Sequence, residues 1–399
     1  KCKNIVSNVL CPVETERVVK NIQNTKFSIF IDETSDITNN KWMTFLVRYV
    51  DSETLDIRSQ LVKLIDIDAR DCSAESLFNA FQSEMYNLEI PFLNIIALSC
   101  DNASVMTGKH KSLKKKLEDK CKNLLTFACP CHSAALAAHD ACDKMPDICE
   151  DFLKKIATYI NSSPKRSAIF DEFCESFQDT KKKMLKLCDT RWLSHYSFVD
   201  RLLESWDTIK HFLNVMFTSE RTNSAQHLLS LMTNVDTKIY FLFLKYVLNF
   251  FNSFNAFFQA IETRIHLLHS KSVNFLVQMC QNFLKPELLK NVLLNVSFRD
   301  KENQKSICDI NLGSECEEYL DELTKQGHAD VITVIRENCL EFYVTAAEGI
   351  RKRLPIDNVL LYKLQVFEAQ IALFDAKRET SFNDVSFVAR TLSGFMKTV

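Results

Sequence analysis

The chain has 399 residues, 46% apolar and 25% charged, with a formal net charge of −2. That composition is ordinary for a globular protein, and a balance so near neutral excludes a global field toward nucleic acid, leaving such binding to local patches. Only 5 glycines occur where average usage of about 7% would give roughly 28, and no two of them cluster, which excludes the dinucleotide fingerprint and the P-loop, and with them kinases, NTPases and nicotinamide enzymes. The 15 cysteines are scattered and no signal peptide is visible, the pattern of reduced thiols in a cytosolic or nuclear protein. A chain that starts at Lys1 without Met and stops abruptly at Val399 is expected to be a piece of a longer protein.

In chain order, residues 1–25 carry a helical pattern: Val6, Val9 and Leu10, then Val18, Val19 and Ile22. The apolar run Phe27–Ile31 then ends on Asp32, and polar turns separate it from strand-like Trp42–Val50 and Ile57–Ile65, which predicts an antiparallel meander. Ser73 is an N-cap candidate for a helix on Leu77, Phe78, Phe81 and Met85. A second acid-tipped strand, Leu93–Asp101, follows, then a helix near Ser112–Lys120 and a short strand Leu124–Ala128. Strand, helix, strand in this order predicts a right-handed crossover, and the whole succession matches the ribonuclease-H-like order.

From about residue 133 the texture is helical: Ala134–Ala141, Ile148–Ile160, Ala168–Phe177, one long stripe from Leu202 to Met216, Glu317–Leu323, Val331–Ile350 and Leu360–Phe374. Ile239–Ile261 is the longest apolar stretch, but Lys245, Asn249, Asn252, Asn255 and Gln259 place a polar stripe on it, so a buried amphipathic helix is expected and not a membrane span. Ser297–Ser314 is the best candidate for an exposed loop.

Asp32 and Asp101 each close an apolar strand, and on neighbouring strands the two carboxylates would converge on a shared divalent cation. Each also has a plain reading, Asp32 as a turn cap and Asp101 as a helix N-cap. Cys129-Pro130-Cys131-His132 lacks two further well-spaced ligands for zinc, so packing outranks metal for this run, for Cys142 and Cys149, and His139 reads as an ordinary helix residue. Asp189-Thr190-Arg191-Trp192 reads as a cap and a core Trp, or as Arg191 on phosphate and Trp192 against an unstacked base. Two basic runs, Lys109–Lys116 (with Lys114, Lys115 and Lys116) and Lys181–Lys186, are solvated faces or holds for a DNA backbone.

Taken together, Phe27–Asp32 with Glu33-Thr34-Ser35-Asp36, the Ser99-Cys100-Asp101-Asn102-Ala103 box, Cys129–His132 and Asp189–Trp192 resemble hAT-superfamily DNA transposases, and more narrowly the transposase-derived proteins of DUF4371 or zinc-finger MYM-like type. The resemblance implies an α/β ribonuclease-H-like core, a mixed five-stranded sheet, interrupted by a large all-helical insertion. It implies that Asp32 and Asp101 are the first two metal-binding acids, that Cys129 and His132 form the family's C-x-x-H motif, and that Trp192 handles a flipped base. Enzymes of this kind cut DNA with metal-activated water and join the excised end to a target.

The family's third acid, a Glu in a segment after the insertion, has no counterpart here; Glu341, Glu368 and Glu379 stand in the wrong context. The expected domains are therefore a core at 1–195, a helical insertion at 196–355 and the start of a C-terminal part at 356–399. The expected function is a transposase-derived protein without activity in this chain, the alternatives being an active transposase when full length or a nuclear regulator. Mg²⁺ or Mn²⁺ is expected only with an intact site, and neither a nucleotide cofactor nor zinc is expected. DNA is the expected partner, with a homo-oligomer formed through the C-terminal region, no membrane, and a nuclear or otherwise cytoplasmic location.

Overall fold

The computed structural model describes residues 2–121, 123–177, 193–220, 222–260, 262–292, 296–327, 329–373 and 378–393. Its contacts divide the chain into two compact units, Lys1–His132 with Ser386–Val399, and Ser133–Val385. Sequence-based boundaries lie instead at 195 and 355; the structural division falls just after the last strand, where the helical texture begins.

In the first unit, β1 (Phe27–Ser35), β2 (Lys41–Val50), β3 (Ile57–Ile67), β4 (Ile95–Cys100) and β5 (Leu125–Ala128) form one sheet in the order β3-β2-β1-β4-β5. The first three pair antiparallel, whereas β4 pairs parallel with both β1 and β5. The meander is set by turn chemistry. The Asp36 carboxylate accepts the N–H of Thr38 at 2.8 Å and of Asn40 at 3.0 Å, with Asn39 at φ 63°. Asp51 closes the next turn by accepting from the Glu53 and Thr54 amides.

The pleat then sorts side chains by face. Phe27, Ile29 and Ile31 of β1 and Met43, Phe45, Val47 and Tyr49 of β2 are buried. They share a core with Val18, Val19 and Ile22 of the N-terminal helix and with the Ala74–Asn87 helix. That helix opens as predicted at Ser73, whose hydroxyl accepts the Ser76 N–H at 3.2 Å. It buries Leu77, Phe78, Phe81 and Met85, and Phe81 meets Phe45 edge-on at 5.0 Å. With β1 so oriented, Asp32 faces away from this core.

The second unit is helical and rich in phenylalanine. Its longest apolar helix, Val235–Phe258, buries Ile239, Phe241, Phe243, Leu244, Val247 and Phe251. Phe243 stands perpendicular to Tyr343 at 5.2 Å, and Phe251 to Phe275 at 5.0 Å. Its polar stripe is only partly a solvent face: Lys245 reaches Glu315 at 3.0 Å, but Asn255 is buried. No helix among the described residues is long and apolar enough to cross a membrane.

Three expectations change. The Leu202–Met216 stripe spans Leu193–Glu204 and Trp206–Glu220, with helical bonding carried through the turn at Ser205. Leu360–Phe374 is not one helix, because extended Glu368 separates Val359–Leu364 from the short Ala369–Ala372. Ser297–Ser314 is no free loop either, because Phe298, Ile310 and Leu312 bury themselves and pin it to the helices.

Candidate functional site

Strand register builds the site. Ile31 of β1 pairs with Cys100 of β4, and Cys100 pairs with Ala128 of β5. Asp32, Asp101 and Cys129 therefore each stand one residue beyond a paired rung. They form one row across three neighbouring strands at about 4.8 Å per step. The Cys129 N–H donates to the Cys100 carbonyl at 3.2 Å, which extends the β4–β5 ladder into the row.

Each acid is held by its own surroundings. Asp32 is locked to β2 through Thr44, whose hydroxyl accepts the Asp32 N–H at 3.0 Å and lies 3.1 Å from the Asp32 carbonyl. The Asp101 carboxylate accepts the Ala103 N–H at 3.1 Å and so turns the chain after β4. Burial, and next the charge of Asp101, push the Asp32 carboxyl above the usual carboxylate range, while His132 opposes them. A carboxylate raised by the charge of its neighbour is close enough to be repelled by it, and a shared cation would relieve that repulsion. Two hard oxygen donors suit a divalent ion such as Mg²⁺ or Mn²⁺. Among the described residues, no group of three or more His, Cys, Asp or Glu side chains is arranged to hold a metal ion.

Cys129 shows what the linear sequence hides. Pro130 opens the Pro130–Cys142 helix, the position at which proline is favoured. Cys129 sits just before it. The Cys131 thiol, then the His132 and Cys131 amides, hold the Cys129 thiol down to about 6, against the effect of burial. Cys131 is pushed up by the same hydrogen bond. The C-x-C spacing at a helix start was the available signal for a thiolate. Cys142 and Cys149, by contrast, are buried thiols pushed up by burial, and His139 meets Asp143, just past the end of its helix, at 3.1 Å.

The first basic run lies on the Leu113–Lys120 helix. Lys114 sits 3.6 Å from Glu118, Lys115 at 2.6 Å from the same carboxylate, and Lys116 pairs with Glu75. Lys114 also acts electrostatically on Cys100, next to Asp101. The cationic field of this run is thus partly neutralised by its own unit. Arg191, Trp192 and the Lys181–Lys186 run lie outside the described residues. Of the acids that could be mistaken for a third ligand, Glu341 is bound to Arg299 at 3.0 Å, within the helical unit.

Residues 2–112 match the family model described as DUF4371, ZMYM1/FAM200, RNase-like domain. Residues 127–236 match the ZBED1 RNase-like helical domain. A General transcription factor II-I repeat domain-containing protein 2 of Bos taurus is 23% identical over 197 residues, 47% of this chain and 20% of that protein. The match therefore spans about a fifth of that relative's length. Two RNase-like models in sequence order, on a mixed sheet ordered β3-β2-β1-β4-β5 followed along the chain by helices, give this chain a DUF4371 RNase-like domain and a ZBED1 RNase-like helical domain, an arrangement consistent with a hAT transposase-derived protein.

Proposed function

We propose that this chain is the nucleic-acid-handling core of a transposase-derived nuclear protein, able to hold a divalent cation at Asp32 and Asp101 but without strand cleavage of its own. The observation that carries this reading is the row of strand ends that brings the charge of Asp101 to bear on Asp32. Mg²⁺ or Mn²⁺, when bound, would supply Lewis-acid polarisation of a phosphodiester. The chain's own residues set the geometry: Thr44 fixes Asp32, the Ala103 amide fixes Asp101, and Cys129 and His132 stand beside them. A two-metal cut needs a further acid to clamp the second ion, and this sequence has no glutamate in the family's context. Arg191 and Trp192 are proposed as DNA contacts by resemblance alone, and Lys114, Lys115 and Lys116 as backbone contacts that must exchange carboxylate for phosphate. A nuclear, regulatory role draws on the relative's printed description as a transcription-factor repeat protein.

The test is Mn²⁺ binding followed by paramagnetic resonance, beside a cleavage assay on labelled duplex DNA. Mn²⁺ binding is expected in the parent chain and lost in Asp101→Asn, with no cleavage in either. Binding indifferent to Asp101→Asn would remove the metal site. Cleavage that disappears in Asp101→Asn would overturn the inactive reading and restore the enzyme.

A further inference from the structure

The N-terminal helix runs through Cys2–Ile5, a π-helical turn at Val6–Leu10, and Cys11–Asn24. Only its last turns pack: Val18, Val19 and Ile22 are buried in the core of the sheet unit. At the edge of that packing, Gln60 of β3, an edge strand, accepts from Arg17 at 3.1 Å and donates to Glu14 at 2.8 Å. Before Glu14 the helix buries nothing. Yet Ile5, Val6, Val9, Leu10 and Val13 are there, each 49–63% exposed. Ile5, Val9 and Val13 recur four apart, the spacing of one helix face, with Val6 and Leu10 beside them. Buried Ile22 lies nine residues past Val13, about two and a half turns, so the exposed stripe points away from the core.

A surface helix is apolar on its core side and polar on the other, and this one is apolar on both. A contiguous exposed apolar patch of this kind marks an interaction site. The backbone is unusual over the same stretch. The Cys11 N–H bonds the Val6 carbonyl, five residues back, just ahead of Pro12, whose ring crowds a normal helical turn. Charge then decides what fits. Lys3 stands at one end of the stripe and Glu16 at the other, both exposed, and among the described residues neither is ion-paired within this chain. Glu14, by contrast, is taken by Arg17 at 2.6 Å. Two such helices laid parallel would set Lys3 against Lys3 and Glu16 against Glu16. Laid antiparallel and crossing at Val9, Ile5 of each copy meets Val13 of the other, and Lys3 comes beside Glu16. One two-fold axis then satisfies both the apolar and the charged positions.

We propose that this stripe is a self-association surface, on which a second copy of the chain docks as an antiparallel helix pair about Val9. It is a different surface from the C-terminal region expected to dimerise, and it does not depend on the carboxylate pair. At 1.5 Å per residue, Ile5 to Val13 spans about 12 Å, which falls short of the roughly 800 Å² per partner of a standard interface. The dimer is therefore weak, with a micromolar dissociation constant. The test is sedimentation equilibrium of the full chain, with reductant present because Cys2 and Cys11 on this helix are exposed thiols. The parent chain is expected to show a concentration-dependent monomer–dimer equilibrium. Val9→Lys sets two ammonium groups at the axis and should raise the dissociation constant about tenfold or more. Its melting temperature, measured on the monomer, should stay unchanged, since Val9 is no part of the core. Lys3→Glu and Glu16→Lys should each weaken the dimer severalfold, and the two together should restore it, because the ion pair is then exchanged and not removed. A parent chain that stays monomeric to about 100 µM overturns the proposal. So does a dimer indifferent to Val9→Lys, which would lie on another surface. Loss in both single charge variants without rescue in the double variant overturns the antiparallel pairing.

Discussion

Asp32 and Cys129 stand on one row of strand ends and are perturbed in opposite directions. Asp32 is raised, first by burial and then by Asp101, so the folded state holds its proton more tightly than the unfolded chain does. Its contribution therefore favours the fold at low pH and is lost as pH rises from the ordinary carboxylate value through the raised one. Asp101→Asn should bring the Asp32 titration, followed by carboxyl NMR, back toward the ordinary range; an unmoved titration would show that burial alone sets it. Cys129 is lowered to about 6, from an ordinary thiol value of about 8.5. Its thiolate adds stability that is complete above the unfolded value and lost as pH falls through about 6. Iodoacetamide should therefore modify Cys129 with a rate that rises through about pH 6, whereas buried Cys100 and Cys121, both pushed up to about 12, stay inert. In Cys131→Ala the rate profile should move to higher pH, because the strongest hydrogen bond to the thiolate is gone. The residue identities were legible in sequence. The thiolate was not, because it depends on which amides and which thiol meet the sulfur in space.

Elements were set largely by local chemistry. Period-2 burial in β1 and β2, the Ser73 cap and the Asp36 and Asp51 turns all follow from side chains a few residues apart. What failed were stretches whose fate is decided by distant partners. Ser297–Ser314 is polar in composition, yet Phe298, Ile310 and Leu312 anchor it. Gly313, in the same segment, sits at φ +92°, and an added Cβ would lie 2.5 Å from the Tyr246 ring. Gly313→Ala should thus cost about 1–3 kcal/mol from backbone strain and overlap, read as a lower urea midpoint at unchanged slope. A neutral result would mean that the Tyr246 ring gives way freely. In the sheet, Phe45→Ala removes a fully buried ring edge-on to Phe81 and should cost about 3–5 kcal/mol, checked by the same unfolding measurement.

For the whole molecule, the division after His132 predicts that residues 133–385, expressed alone, give a helical far-UV spectrum and a cooperative urea transition. That unit has its own aromatic core around Phe241, Phe243 and Phe251. A gradual, non-cooperative transition would show that this core depends on residues outside it. The sequence alone determined the strand and helix order, the exclusion of nucleotide loops, and Asp32 and Asp101 as the acids to watch, because hydrophobic periodicity and turn residues are local signals. Only the tertiary structure decided that the two acids share one row with Cys129, that the Lys114–Lys116 run is already paired with carboxylates, and that an open cavity lined by Lys155, Arg166 and His227 forms beside Tyr159. Register, ion pairing and cavity lining bring together residues far apart in the chain, and that proximity is settled by packing rather than by spacing.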